Sequence, residues 1–337
     1  MKKHAKNGNV AIIGIGQTSF SSHKEDQNQV EMVQEAVINA LADAGLKIGD
    51  IDCIVHGNME LFEMQFAPDL WHSLGTGAYG KDEYRITTGG TTGATLVCAA
   101  DNLVASGLYG TVLAIGMEKL QEGNTTGGIT NMADPLWFRN LQTGALTGTT
   151  SDGACAMIFT SEEKVKQGTK NPPVWIRDHI QVHREETIPN LFGFNKPEMT
   201  HHCAARTLFA RNGIQDPVAY FDVFEMYDPS AWWAVDWLRE FFLLKGDEHL
   251  RMLEAGDFDL DGRIPINPSG GVIASNPIGA TAMLRPAEAA LQIRGDAGGH
   301  QIKKEVRHAL ASGFGGTFWT VLMILEKELN WQEVNHD

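Results

Sequence analysis

The stretch Tyr84 to Thr95, YRITTGGTTGAT, sets glycines at 89, 90 and 93 among threonines, between an apolar segment and a helical run. A strand-to-helix turn of this kind is where a fold presents a reactive side chain, because the first amides of a helix stabilise an anion held there. Gly89 and Gly90 stand at that address and carry no side chain. The four cysteines, Cys53, Cys98, Cys155 and Cys203, are far apart and form no C-x-x-C pair. They specify neither a disulfide framework nor a zinc site, and a reducing cytoplasm is the expected compartment. Cys98 follows the glycines by two helical turns, where a thiol ordinarily packs in the core.

Three other patterns imitate sites and fall short. Asp257, Asp259, Asp261 and Gly262 begin like a calcium loop, but Pro268 occupies the position of the bidentate glutamate. His201, His202 and Cys203 are adjacent on a predicted helix and point in different directions, so no metal site is expected. GIGQTS lacks the third glycine of a dinucleotide fingerprint.

The elements that must position the glycine turn follow from hydropathy. VAIIGIG at 10–16 is a continuous apolar run and predicts a buried strand. Val33, Ala36, Val37, Ala40, Leu41 and Ala44 have helical spacing, with Gly45 as the stop. DIDCIVHG, TVLAIGMEK and GACAMIFTSEE read as further strands, and Leu96 to Val104 as a helix closed by Gly107. The second half repeats this grammar: helices over THHCAARTLFARNG, DPSAWWAVDWLREFFLL and GATAMLRPAEAALQIRG, and strands over FDVFEMYD and TFWTVLMILEKEL. Strands alternating with helices predict a parallel, layered α/β sheet. The glycine turns at 89–93 and 270–279 read as counterparts in two halves, 1–168 and 169–337, joined near GTKNPP. Gln121 to Thr150 has little periodicity and reads as loop.

Composition bounds the function. A chain of 337 residues exceeds a single core of roughly 100–200 residues. The net charge of -15 argues against nucleic acid and anionic membrane as partners. No window approaches the ~18 apolar residues of a membrane span, and the N-terminal run is too short for a signal peptide.

VAIIGIGQTSF, EAVINALADAGLKIGDIDCIVHG, GTVLAIGMEKL and the long stretch INPSGGVIASNPIGATAMLRPAEAALQIRGDAGGHQIKKEVRHALASGFGG resemble the thiolase superfamily, most closely its sterol-carrier and lipid-transfer thiolase-like branch. The resemblance implies a thiolase fold, five-layered αβαβα with two pseudo-symmetric halves, and a loop domain shortened to 121–151. It also implies a dimer. Thiolase chemistry needs a cysteine thiolate, a second acid/base and an oxyanion hole. By this resemblance the nucleophile position falls on Gly90, the Gly-His-Pro histidine on Asn276, the late acid/base near Ser312, and the residue before the motif aspartate on Tyr227. None carries the thiolase group.

The steroid side-chain retro-aldolases of the same superfamily resemble this chain in SNPIGA and in a tyrosine before the aspartate. They imply non-covalent carbon–carbon cleavage of a 3-hydroxyacyl-CoA. Tyr227 would then be an acid/base oriented by Asp228, and Asn276 with the Gly89, Gly90 and Thr91 backbone would hold the thioester oxygen. Gly270, Gly271 and Ser275 would complete the coenzyme A site. Coenzyme A enters as part of the substrate, and no tightly bound cofactor or metal is expected. The family's second tyrosine falls on Phe314, which cannot transfer a proton. Partners implied are a small OB-fold/zinc-ribbon subunit or a second thiolase-like subunit, and the alternative function is a catalytically degenerate structural subunit. Trp232, Trp233, Trp237, Phe241 and Phe242 would form core, subunit interface or the wall of an acyl pocket.

Overall fold

The computed structural model describes residues 8–63, 67–123, 150–183, 199–315 and 319–329. Most of the expected loop region, residues 124–149, lies outside the described residues. The first half runs β1 (Val10–Gln17), α1 (Gln29–Ala44), β2 (Cys53–Gly57), α2 (Asp69–Thr76), β3 (Asp82–Arg85), α3 (Thr92–Ala105), β4 (Thr111–Lys119) and β5 (Asp152–Ser161). The second runs β6 (Val174–His183), α4 (Thr200–Arg211), β7 (Val223–Glu225), α5 (Ala231–Phe241), α6 (Ile278–Arg294), β8 (His308–Phe314) and β9 (Trp319–Glu326). Local chemistry sets the ends. Asn28 and Glu31 form a reciprocal capping box before α1, and Gly45 closes it with φ of 70°.

The strands form one nine-stranded sheet in the order β3-β2-β4-β5-β1-β6-β9-β8-β7. The halves meet where Ala11 pairs with Trp175 and Ile12 with Val174. Outward from that seam, β1-β5-β4-β2 and β6-β9-β8-β7 have the same order and the same senses: antiparallel, antiparallel, parallel. The expectation of a parallel sheet is thus corrected to a mixed one. The physical reason is connection length, since β8 reaches β9 through a few residues and a short connection can join only antiparallel strands.

Two helices lie between the half-sheets. α3 packs on β2, β4 and β5, α6 packs on β8 and β9, and the two helices pack on each other. Every residue of α6 from Gly279 to Ala290 is buried, as a helix sandwiched on all sides requires. α1 covers the opposite face of the first half, and α4 with α5 the opposite face of the second. Each interface has its own apolar core.

The α3–α6 crossing is closer than side chains allow. A methyl group on Gly93 would lie 2.4 Å from Met283 N and 2.7 Å from Met283 Cβ. Gly93→Ala should therefore cost about 1–3 kcal/mol by overpacking. A urea titration should show a lower midpoint with an unchanged slope; an unaltered midpoint would mean that the helices separate freely.

Candidate functional site

The α3–α6 contact brings both glycine turns to one place, and β8 closes it from the other half. Thr91 and Thr92 are buried, and their hydroxyls donate to Thr88 O and Gly89 O, so the turn is braced by its own threonines. Gly89 adopts φ of 62°. Gly90 sits under the chain of β8: a Cβ there would be 2.5 Å from Phe314 O. A nucleophilic side chain is absent at this position, and the Phe314 carbonyl fills the space it would use.

Tyr227 follows β7 and is buried. Its amide donates to Ser312 Oγ at 3.0 Å, and its hydroxyl donates to Ile278 O at 3.3 Å, at the first turn of α6. Burial pushes its pKa up, against the opposing charge of Arg285. The hydroxyl is therefore held protonated, with its proton directed at Ile278 O.

Asp228 does not bond to that hydroxyl. Its carboxylate accepts from Val272 N at 2.8 Å and from Asn267, at the helical turn Gly271–Ala274. Gly271 permits this contact, because φ is 64° and a Cβ would lie 2.5 Å from Asp228 Oδ1. The sequence expectation that Asp228 orients Tyr227 is replaced by a role in fixing the glycine turn at 270–271.

Asn276 is buried and held from three directions. Ser151 N donates to its carbonyl at 3.1 Å, its amide donates to Ser151 Oγ at 2.9 Å, and Thr281 Oγ1 donates to its Oδ1 at 3.0 Å. That last bond turns Nδ2 into the free end, with no hydrogen-bond partner among the described residues. Ser275 is half-buried and ends the 271–274 turn. Residues 151 and 276 are 125 positions apart, and no spacing rule connects them.

Two carboxyls that sequence reasoning missed lie behind this turn. Glu118, at the end of β4, is fully buried and accepts from Met59 N at 2.6 Å and from Gly279 N. Glu63 is buried beside it and accepts from Asn58 Nδ2 at 2.7 Å, Gln29 Nε2 at 3.0 Å and Lys119 N. The available signal was a glutamate inside the apolar strand TVLAIGMEK, where a lone charge needs a partner.

The remaining candidates separate. Phe314 packs against Trp237, Trp233, Tyr227 and His201 with centroid distances of 4.8–6.0 Å. Trp237, Phe241 and Phe242 are core, whereas Trp232 is 80% exposed. His201 stacks on Phe241, and His202 faces Glu240 on another side of the helix. Cys98 is buried within hydrogen-bond reach of His179, whose Nε2 lies 3.1 Å from Asp101 Oδ2.

This geometry predicts that the chain forms no acyl-enzyme, and that Gly90→Cys does not create one. Intact mass after incubation with acetyl-CoA should show no adduct on either protein. The variant should also lose about 1–3 kcal/mol in urea unfolding, from the clash with Phe314 O. A stable acyl adduct on any cysteine would contradict this.

Comparison with known proteins agrees with the architecture. Residues 198–327 match the family described as thiolase C-terminal domain-like. The chain is 24% identical to an acetyl-CoA acetyltransferase of Methanothermobacter thermautotrophicus, over 91% of this chain and 96% of the relative. It is 23% identical to sterol carrier protein 2 of Gallus gallus, over 91% of this chain and 70% of the relative. A solved structure titled Ltp2-ChsH2(DUF35) aldolase superposes with a TM-score of 0.76 at 20% identity, over 97% of this chain and 100% of that one. With its mixed sheet, paired central helices and glycine turns, the chain is similar to the thiolase superfamily, and to its sterol-carrier and lipid-transfer thiolase-like branch.

Proposed function

We propose that this chain acts on an acyl-CoA thioester by non-covalent carbon–carbon cleavage, a retro-aldol reaction of a 3-hydroxyacyl-CoA. The observation that carries the reading is that Asn276 Nδ2, oriented and without a partner among the described residues, and the protonated Tyr227 hydroxyl both lie at the start of α6, beside a Gly90 turn with no room for a nucleophile. In the reaction a base takes the 3-hydroxyl proton, and the Cα–Cβ electron pair moves into the thioester as an enolate. The hydroxyl oxygen leaves as a carbonyl, and Cα takes a proton. Asn276, with the Gly89–Thr91 backbone, would hold the enolate oxygen, and Tyr227 would supply the proton. Asp228 would act through the turn at Gly270 and Gly271, where the coenzyme A part of the substrate would lie with Ser275.

The same reading takes the halves 1–168 and 169–337 as a five-layered αβαβα unit with a shortened loop domain, working as a dimer with a second kind of subunit. The DUF35 component of the similar Ltp2-ChsH2(DUF35) aldolase is the precedent for that partner. One observation favours a second reading. Phe314 packs as an aromatic side chain among Trp233, Trp237 and Tyr227 and can move no proton, as a catalytically degenerate structural subunit would tolerate.

Two substitutions separate the readings. Tyr227→Phe should lower cleavage of a 3-hydroxyacyl-CoA by about 10²–10⁴-fold, and Asn276→Ala by about 10²–10³-fold, with binding little changed. A structural subunit would keep the activity of its complex within about threefold, since one buried hydroxyl is worth roughly 1 kcal/mol. Folded variants with unchanged activity would exclude catalysis in this chain.

A further inference from the structure

The Glu63–Glu118 pair asks where its protons are. Glu63 accepts three donors, from Asn58, Gln29 and Lys119, so its oxygens are occupied as a carboxylate's would be. Glu118 places Oε1 on the Met59 and Gly279 amides. Its Oε2 is buried and receives no donor, yet it faces Glu63 within hydrogen-bond reach. Two carboxylate oxygens can meet away from water only if one of them carries a proton. The acceptor count places that proton on Glu118 Oε2.

We propose that Glu118 and Glu63 share one proton, carried on Glu118, and that this dyad is a positioning and charge-setting element for Tyr227. It acts at two points. Glu118 clamps Gly279 N while Tyr227 bonds the adjoining Ile278 carbonyl, so both contacts fix one turn. A methyl on Gly279 would lie 2.1 Å from Glu118 Oε1, which leaves the clamp no slack. While the proton stays, Glu118 is neutral, and no second negative charge opposes the tyrosine as donor or an enolate beside it. The inference rests on Tyr227 as the acid of the proposed reaction.

The surroundings supply the sign. Glu122 and Asp152 face Glu63 and add negative potential. Lys119 Nζ is spent on Glu122, and Lys24 Nζ on Ser19 and Gln27. Gln29 Oε1 is bonded by His72, which burial keeps neutral with its pKa near 4. Burial pushes both dyad carboxyls above the ordinary glutamate value of 4.5. The protonated dyad thus contributes stability that is complete below 4.5 and is lost as pH rises through the raised values.

Infrared spectra of the full chain at neutral pH read the proton directly. The wild type should show the carbonyl band of a buried protonated carboxyl, and E118Q should lack it. E118Q should fold as well as the wild type, because glutamine accepts from both amides and donates to Glu63 as the protonated acid does. E63Q should unfold at lower urea, since its amide group must face three donors. In cleavage assays kcat should fall about tenfold per pH unit above the dyad's titration, and E118Q should remove that limb without moving KM. Absence of an E118Q-sensitive band, an unchanged alkaline limb in E118Q, or E63Q tolerated better than E118Q would overturn the proposal. If the chain cleaves no 3-hydroxyacyl-CoA, the proposed reaction fails, while the band and the order of the two variants still decide where the proton sits.

Discussion

Everything at the candidate site depends on how closely α3 and α6 approach. Gly93 removes the side chain that would keep the Met283 backbone away, and small residues continue the contact. On the β8 side, a methyl at Gly313 would meet Ala94 Cβ at 2.8 Å. Two helices from different halves then begin at one point, and each brings the unpaired amides of its first turn. The sheet cannot supply this convergence, because its halves share only two paired positions at the β1–β6 seam. The central helices therefore carry the relation between the halves, and the site inherits its geometry from their crossing.

The same crossing shapes the turn at Gly90. Once α3 is drawn against α6 and β8, the Phe314 carbonyl lies over the turn, and the place for a nucleophile becomes a backbone contact. The consequence runs outward along β8. Phe314 faces Tyr227 on one side and the aromatic core of α5 on the other, while Ser312, two residues earlier on the same strand, holds the Tyr227 amide. The residue near the family's late acid/base position works here as an anchor for the Tyr227 backbone.

Elements with a strong local signal were legible in the sequence. Continuous apolar runs mark β1, β4 and β5, and a capping box with a terminal glycine frames α1. β6 and β3 were not read as strands, for physical reasons. β6 carries Arg177, Asp178 and His179 in mid-strand, which breaks the apolar pattern. These groups are tolerated because Glu326, Arg211 and Asp101 pair with them across the fold. β3, DEYR, is a short edge strand at one end of the sheet and shows no apolar alternation. At the site, Tyr227 and Asn276 were visible through their motifs. Ser151 and the Glu63–Glu118 pair were not, since pairing across 55 or more positions leaves no periodic trace.

The density of buried polar groups around an empty nucleophile position is itself an argument about function. Arg285 and Glu225 form a buried pair at 3.0 Å with Ser269, close under the glycine turn at 270–271, and Glu118 and Glu63 lie behind Gly279. Burial raises Glu225 to about 7 even with Arg285 beside it, so the region is costly to dehydrate. A scaffold that needed only packing there could use apolar residues, since replacing buried ion pairs with well-packed hydrophobic side chains is often neutral or stabilising by about 1–4 kcal/mol. Polar groups held at both helix starts, with Asn276 Nδ2 unbonded among the described residues and the Tyr227 hydroxyl held protonated against Ile278 O, suit the proposed site for a transient negative charge. In the proposed reaction, that is the electrostatic task left to a site with no nucleophile at Gly90.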